Sequence, residues 1–402
     1  MSKILIIANF CRKFDGTING RFLYLAELLS QKGFNVELIT SDFNHGTKKY
    51  KEEPVRTYKS TITYIHEPGY SKNLSIRRLY SHWVWGNNIG KYLYRQSDFP
   101  NYIYCAVPSL TAALKCAMFS KRNNIKFIID IQDLWPEAFG LAIKSKVLQK
   151  VLFFPFKVYA DYIYKRASAI VAVSETYKNR ALLVNRLGAK GICAYLGNDK
   201  VYFDKAKTKF QLERFTHEIR LCYIGTLGYS YDIKCVIDAL KQLNDKKLTL
   251  PVIKFIVIGD GPLQNDFKKY AKEKDILSEF TGRLQYDKMV GILCSCDIAI
   301  NPIKEGAAAS IINKVGDYAL AGLPVINTQE CEEYRKLLDE YECGINCKVG
   351  DVNSIALAIE KLALNKNLRE CMGKSSRRLA EERFDRNKTY LNILELFKDN
   401  MQ

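Results

Sequence analysis

The chain has 402 residues, 48% of them hydrophobic and 26% charged, an ordinary globular composition with room for two domains that each bury a core. No low-complexity tract, proline- or glycine-rich spacer or bilayer-length apolar run is present, which argues against disordered, fibrous and helical membrane-spanning classes. The formal net charge of +18 is unevenly spread: residues 1–198 hold 29 Lys/Arg against 13 Asp/Glu, and residues 199–402 hold 32 against 30. A first half this basic should attract polyanions or an anionic membrane.

Met1-Ser2-Lys3 followed by Ile4-Leu5-Ile6-Ile7 imitates the start of a signal peptide, but the run is short and ends in Cys11-Arg12-Lys13. It reads better as a first β-strand, and a cytoplasmic protein is expected. Twelve cysteines show no CxxC spacing, and the four histidines (His45, His66, His82, His217) complete no zinc set. Small buried thiols in a reducing compartment are the expectation, with no bound metal or other cofactor.

In chain order, the strand Ile4–Ala8 leads into the loop Asp15-Gly16-Thr17-Ile18-Asn19-Gly20 and a helix from about Arg21 to Gln31, with Phe22, Leu25, Leu28 and Leu29 on one face. Gly33 stops it, and Val36–Thr40 forms the next strand. Further strands are expected at Tyr102–Val107, Phe127–Ile131 and Ala169–Val173, each followed by a helix. Gly197–Lys200 reads as a junction, after which the pattern restarts. Strands fall at Ile219–Gly225, Ile253–Gly259, near Phe280, at Asp297–Asn301 and at Leu323–Asn327, with helices at about Asp232–Leu243 and Ile312–Leu320. A last helix from about Arg386 to Asn400 could pack on either half. Alternating strands and helices imply parallel sheets covered on both faces. The expected fold is therefore α/β, with two Rossmann-like domains whose sheets face across a cleft. Residues 1–198 form the first domain, 199–385 the second, and 386–402 a helix packing back on the first. Ligands of such folds bind at the carboxyl ends of the strands.

The stretch from Glu305 to Val325 carries the most chemistry. Gly306 to Ala309 are small enough to let backbone approach a ligand, and Ser310 is a plausible N-cap that leaves the N–H groups of Ile311 and Ile312 free for phosphate. Lys314 and Asp317 are three residues apart and share a helical face, a cation for a diphosphate beside a carboxylate for ribose hydroxyls. A capped surface helix with a solvated Lys–Asp pair would show the same residues.

That segment resembles the donor region of the family 4 retaining glycosyltransferases, which share the GT-B fold. Their pattern is an acidic residue, seven others, then Glu, soon followed by Gly-x-Pro-Val. Gly322-Leu-Pro-Val325 sets the register, so Asp317 falls on the second acidic position, which the resemblance associates with the donor ribose. The first falls on Ala309, so the carboxylate linked to the donor sugar is missing here. Ile312-Asn313-Lys314 is similar to the Pro-x-Lys run of capsule and O-antigen members.

Tyr223-Ile224-Gly225-Thr226-Leu227-Gly228 is similar to the family's phosphate loop, with Thr226 where Arg is usual and Ser230-Tyr231 where Lys is expected. Charge neutralisation would then fall to Lys314 with Arg283, and to backbone amides at Thr226–Gly228. Gly259-Asp260-Gly261-Pro262 resembles the turn beside the nucleotide, and Gly282-Arg283-Leu284 the strand end that meets the base. A generic βα turn would also need Gly259 and Gly261.

In the first half, Asp133-Leu134-Trp135-Pro136-Glu137 resembles a run of the polysaccharide subgroup, which implies acceptor-hydroxyl positioning by Asp133. A capped turn over a packed Trp135 is the alternative. Gly20-Arg21 matches the family's first glycine loop, near donor phosphate and acceptor. Segments 76–95 and 144–166 interleave basic and aromatic residues, as interfacial helices do, although core packing with a solvated basic face is also possible.

The resemblance thus implies a retaining hexosyl- or N-acetylhexosaminyl-transferase of surface-polysaccharide assembly. Its partners would be a nucleotide sugar (UDP-linked by family habit), a lipid-linked saccharide acceptor and the inner face of an anionic membrane, to which the enzyme would bind peripherally. A UDP-sugar 2-epimerase would share the shape but needs acid and His groups for proton abstraction, and the chain is His-poor. A nucleic-acid-binding protein would explain the charge, but no helix-turn-helix, RRM, KH or zinc signature supports one.

Overall fold

The structure is a computed structural model that describes residues 2–11, 20–52, 59–72, 75–135, 146–213, 217–246, 250–307 and 310–400, with the side chains of 146–150 and 398–400 also outside the description. The contacts divide the chain into two compact units, one comprising Met1–Ala194 with Tyr390–Gln402 and the other Tyr195–Thr389.

The first unit contains strands β1 (Lys3–Ala8), β2 (Asn35–Ser41), β3 (Phe43–Asn44), β4 (Lys49–Tyr50), β5 (Thr61–Ile65), β6 (Tyr102–Val107), β7 (Lys126–Ile131), β8 (Ala169–Ala172) and β9 (Lys190–Cys193). Its helices are α1 (Arg21–Gln31), α2 (Ile76–Tyr94), α3 (Leu110–Asn123), α4 (Lys146–Arg166) and α5 (Glu175–Leu182). Seven strands form one sheet in the order β5-β2-β1-β6-β7-β8-β9, every pair parallel. β3 and β4 make a small antiparallel hairpin. Ile4 to Ala8 are fully buried, as expected for a strand covered on both faces.

The second unit adds α6 (Lys200–Ala206), β10 (Glu218–Ile224), α7 (Ile233–Asp245), β11 (Val252–Ile258), α8 (Gln264–Glu273), β12 (Ser278–Gly282), α9 (Tyr286–Leu293), β13 (Ile298–Asn301), α10 (Lys314–Leu320), β14 (Val325–Asn327), α11 (Glu332–Glu340), β15 (Gly344–Asn346), α12 (Val352–Leu364), α13 (Lys366–Leu379) and α14 (Arg386–Thr389). Its six strands lie in the order β12-β11-β10-β13-β14-β15, again all parallel. In both sheets the first strand of the unit sits where the order reverses. In the second unit that point is the gap between β10 and β13, where α/β folds hold their ligands beyond the strand ends.

The division falls at 194/195 and 389/390 rather than at the expected 198/199 and 385/386. The reason is local. Asn198 donates its N–H to the Phe384 carbonyl at 2.8 Å and accepts from Arg386 N at 3.0 Å, tying both stretches into the second unit. The expected helix from Arg386 to Asn400 is instead broken into α14, α15 (Leu391–Leu394) and a 3₁₀ turn, Glu395–Asn400. Tyr390, Ile393, Leu394 and Phe397 enter the core of the first unit among Phe34, Tyr102 and Tyr104. β5, β9, β15 and the β3–β4 hairpin were not among the expected strands; each is short and lies at a sheet edge or outside the main sheet.

Candidate functional site

In the second unit, the loops after β10 and β11 pack together beside the switch point. Gly225, at the end of β10, has φ 133° and Gly259, at the end of β11, φ 146°, values that only glycine adopts without strain. A Cβ on Gly259 would stand 1.8 Å from the Gly225 carbonyl oxygen, and one on Gly261 would stand 2.4 Å from that of Leu227. Gly225 N bonds to Ile258 O and Leu227 N to Asp260 O, each at 2.9 Å, while Gly259 N bonds to Gly282 O at 3.0 Å. Gly259 and Gly261 thus serve close loop-on-loop packing. Among the described residues the N–H groups of Thr226 and Gly228 have no protein acceptor, so they are available to a ligand.

Lys314 opens α10, all seven of whose residues are buried. Its Nζ has no hydrogen-bond partner among the described residues and lies 4.0 Å from the ring centroids of both Tyr223 and Tyr231. Burial holds this amine well below the usual lysine range. Tyr318 anchors the helix: its hydroxyl accepts from Ile224 N at 2.9 Å and donates to Ile300 O at 3.1 Å, pinning α10 across β10 and β13.

Asp317 lies one turn beyond Lys314, yet no hydrogen bond or ion pair joins the two among the described residues. Its Oδ1 accepts from Asn198 Nδ2 at 2.6 Å and from the Tyr286 hydroxyl at 2.9 Å. Burial pushes the carboxyl up to about 7, with the Tyr286 bond and the charge of Arg386 opposing. The solvated Lys–Asp pair is therefore excluded: both groups are buried, in separate surroundings.

The helix start differs from expectation. α10 begins at Lys314, and its N-cap residue Asn313 has helical backbone angles and no side-chain cap. Ser310 does not cap it; its carbonyl accepts from Gln329 Nε2 at 2.6 Å. Ile311 is buried, Ile312 half-buried and Asn313 exposed. The helix therefore starts four residues after Ser310. Ala309, where the family's first carboxylate is missing, lies outside the described residues. Arg283 is exposed and Leu284 half-buried just after Gly282. Sequence reasoning passed over Tyr223 and Tyr231 as site residues, and Asn198, Tyr286 and Tyr318 entirely. Only the position of Tyr318 beside Asp317 could have pointed to one of them.

In the first unit, Gly20 is the N-cap residue of α1. Arg21 departs from the expected donor role. Its Nε and Nη2 donate to Asp130 at 2.7 and 3.0 Å, and Nη1 donates to the Ala194 carbonyl at 2.8 Å and the Tyr390 hydroxyl at 3.1 Å. With both charged side chains buried, the guanidinium is consumed by the core of its own unit. Asp133 is partly buried after β7, with the Tyr177 hydroxyl 3.4 Å from Oδ1. Burial raises its pKa, opposed by hydrogen bonds from Leu134, Trp135 and Tyr177 and by the charge of Arg78. Pro136 and Glu137 lie outside the described residues.

Trp135 is buried and stacks on His82 with ring centroids 5.4 Å apart and planes at 10°. Arg78 lies 5.2 Å over the Trp135 ring. Burial, with the charge of Arg78 and then His45, lowers His82 to about 3, so it is a neutral imidazole at physiological pH. This aromatic and basic cluster sits beside Asp133, and the lone histidine and arginine carried no motif by which sequence could have found it. The twelve cysteines are all free, and no cluster of potential metal ligands occurs among the described residues.

Residues 204–379 match the family model described as glycosyl transferases group 1. An uncharacterized glycosyltransferase of Methanocaldococcus jannaschii is 27% identical over 265 residues, a match that spans 64% of this chain and 64% of the length of that relative. HepE of Anabaena, solved in complex with UDP, superposes with a TM-score of 0.68 at 14% identity, covering 99% of this chain and 100% of that one. The sucrose-phosphate synthase of Thermosynechococcus elongatus gives a TM-score of 0.73 at 14% identity, covering 99% of each. The two parallel Rossmann-like sheets are thus those of the GT-B fold.

Proposed function

We propose that this chain, GT-B in fold and matching the group 1 glycosyl transferases over residues 204–379, transfers a sugar from a nucleotide-diphosphate sugar to a lipid-linked saccharide in surface-polysaccharide synthesis. The observation that carries the reading is the buried amine of Lys314, which has no anionic partner among the described residues and lies against Gly225, the residue that leads into the free N–H groups of Thr226 and Gly228. A withdrawn cation without a counter-charge is costly unless a ligand supplies one. Preset cations and dipoles of this kind stabilise a departing diphosphate. UDP is the favoured nucleotide, because HepE, of like fold, was solved with it.

In this reading Lys314 neutralises the diphosphate and Asp317 meets the ribose. Asp133 orients the acceptor hydroxyl, and its raised pKa suits a group that takes up a proton. Transfer with retention follows from the family 4 resemblance, and no residue is assigned as a covalent nucleophile.

The acceptor's lipid and the membrane are supported by surface chemistry. α4 exposes Val151, Leu152, Phe154, Phe156, Val158 and Tyr159, and α2 exposes Ile76, Tyr80 and Trp83. In α2 the inner face, with His82 and Trp85, is core, so only the outer rings would meet lipid. No described helix is long and apolar enough to cross a membrane. Peripheral attachment to an anionic leaflet fits a first half rich in Lys and Arg.

Incubating the purified protein with a panel of UDP- and GDP-sugars tests the function. Slow hydrolysis of one donor, lost in Lys314→Ala, is expected. No turnover and no binding of any member of the panel would overturn it.

A further inference from the structure

We propose that Tyr223 and Tyr231 form an aromatic clamp that presets the Lys314 amine for a nucleoside diphosphate. The inference rests on the donor reading above and names the residues that tune its cation.

The two rings meet edge to face, with centroids 5.6 Å apart and planes at 69°, and Nζ lies 4.0 Å from each. Among the described residues the amine has no hydrogen-bond partner and no ion pair, and Asp317 on the same helix is turned to Asn198 and Tyr286. An ammonium removed from water without an anion would lose its proton or swing out. Two π faces at this distance offset part of that cost and restrict the flexible stem.

Both rings are themselves fixed. The Tyr223 hydroxyl donates to Thr226 O at 2.7 Å. Tyr231 is held through its backbone: its N–H reaches Gly228 O at 3.2 Å and it bridges to Ile303, while Asp232 N bonds to Pro302 O at 2.9 Å. The clamp is therefore built from the end of β10, which carries Tyr223, and the loop after it, which carries Tyr231 and is braced by the loop after β13 at the switch point. One side stays without a side chain, since a Cβ on Gly225 would lie 3.6 Å from Nζ. A phosphate approaching along the Gly225–Gly228 backbone meets an amine already ordered, which lowers the cost of binding.

UDP titration by calorimetry on four variants tests this. Tyr231→Leu, which keeps bulk but loses the π face, weakens UDP by about tenfold. Tyr231→Phe, which sacrifices no hydrogen bond of the hydroxyl among the described residues, rescues affinity to within about threefold of wild type. In a Lys314→Met background Tyr231→Leu has no further effect beyond about twofold, because the clamp acts only through the amine. Melting curves accompany each titration, and Tyr231→Met replaces the Leu variant should that one unfold. Wild-type affinity in Tyr231→Leu, equal loss in Tyr231→Phe, or full additivity with Lys314→Met would overturn the clamp alone. Failure of the wild type to bind UDP, GDP or inorganic pyrophosphate would overturn the donor reading and the clamp with it.

Discussion

The hydroxyl of Tyr286 donates a 2.9 Å hydrogen bond to Oδ1 of Asp317, the same oxygen that Asn198 holds at 2.6 Å. One carboxylate oxygen is thereby committed to the second unit's own framework. Oδ2 carries no hydrogen bond among the described residues, so in the proposed donor site it is the atom offered to a ribose hydroxyl.

This burial makes Asp317 a pH-dependent element of stability. Its folded value, about 7, is above the ordinary carboxylate value, so folding favours the protonated form. The contribution is complete below about pH 4 and is lost as pH rises through about 7. Urea midpoints should fall with rising pH across that window in the wild type, and the slope should flatten in Asp317→Asn. An identical slope in both proteins would refute the assignment.

Catalysis should depend on both charged residues of α10. Lys314→Ala and Asp317→Ala are each expected to lower turnover tenfold or more, roughly 1.4 kcal/mol or above in the barrier. Because burial depresses the Lys314 amine, a bound diphosphate should restore its proton. Calorimetry of UDP binding in buffers of different ionisation enthalpy should show net proton uptake that grows as pH rises, and Lys314→Ala should abolish it.

Arg21 should matter for stability. Removing it strands the fully buried Asp130 carboxylate, whose loss of a partner costs about 3–5 kcal/mol. Denaturant unfolding of Arg21→Ala should show that loss. Arg21→Lys should not restore it, since an ammonium cannot reproduce the paired donors that Nε and Nη2 present to Asp130.

Liposome co-sedimentation tests the exposed face of α4. The wild type should pellet with anionic vesicles at low salt and much less with neutral ones. Phe154→Glu, at a side chain 64% exposed, should weaken pelleting at least about threefold with an unchanged melting temperature. Equal pelleting with both vesicle types would argue against the electrostatic part.

Much of the architecture was legible because it is written in local patterns. Ile4 to Ala8 is apolar throughout because both faces of β1 are covered, and the glycines ending β10 and β11 mark turns that tolerate no side chain. The same local logic misled at Ser310, a good capping residue that caps nothing, because α10 begins only at Lys314, four residues further on. It misled at Arg21 as well. A glycine followed by a basic residue looks like a phosphate loop, while the partner that disposes of the charge is distant in sequence.

What the sequence determined by itself was the alternation of strands and helices, the two-fold restart after the junction, and the register that set Lys314 and Asp317 on one short helix. Side-chain periodicity and turn chemistry depend on neighbours a few residues apart, so they can be read along the chain. Only the tertiary structure decided that Lys314 would stand between two tyrosine rings, that Asp317 would bond to Asn198 and Tyr286, and that Arg21 would be spent on Asp130. Those outcomes turn on desolvation and on partners brought together from remote segments, and neither quantity exists until the chain has folded.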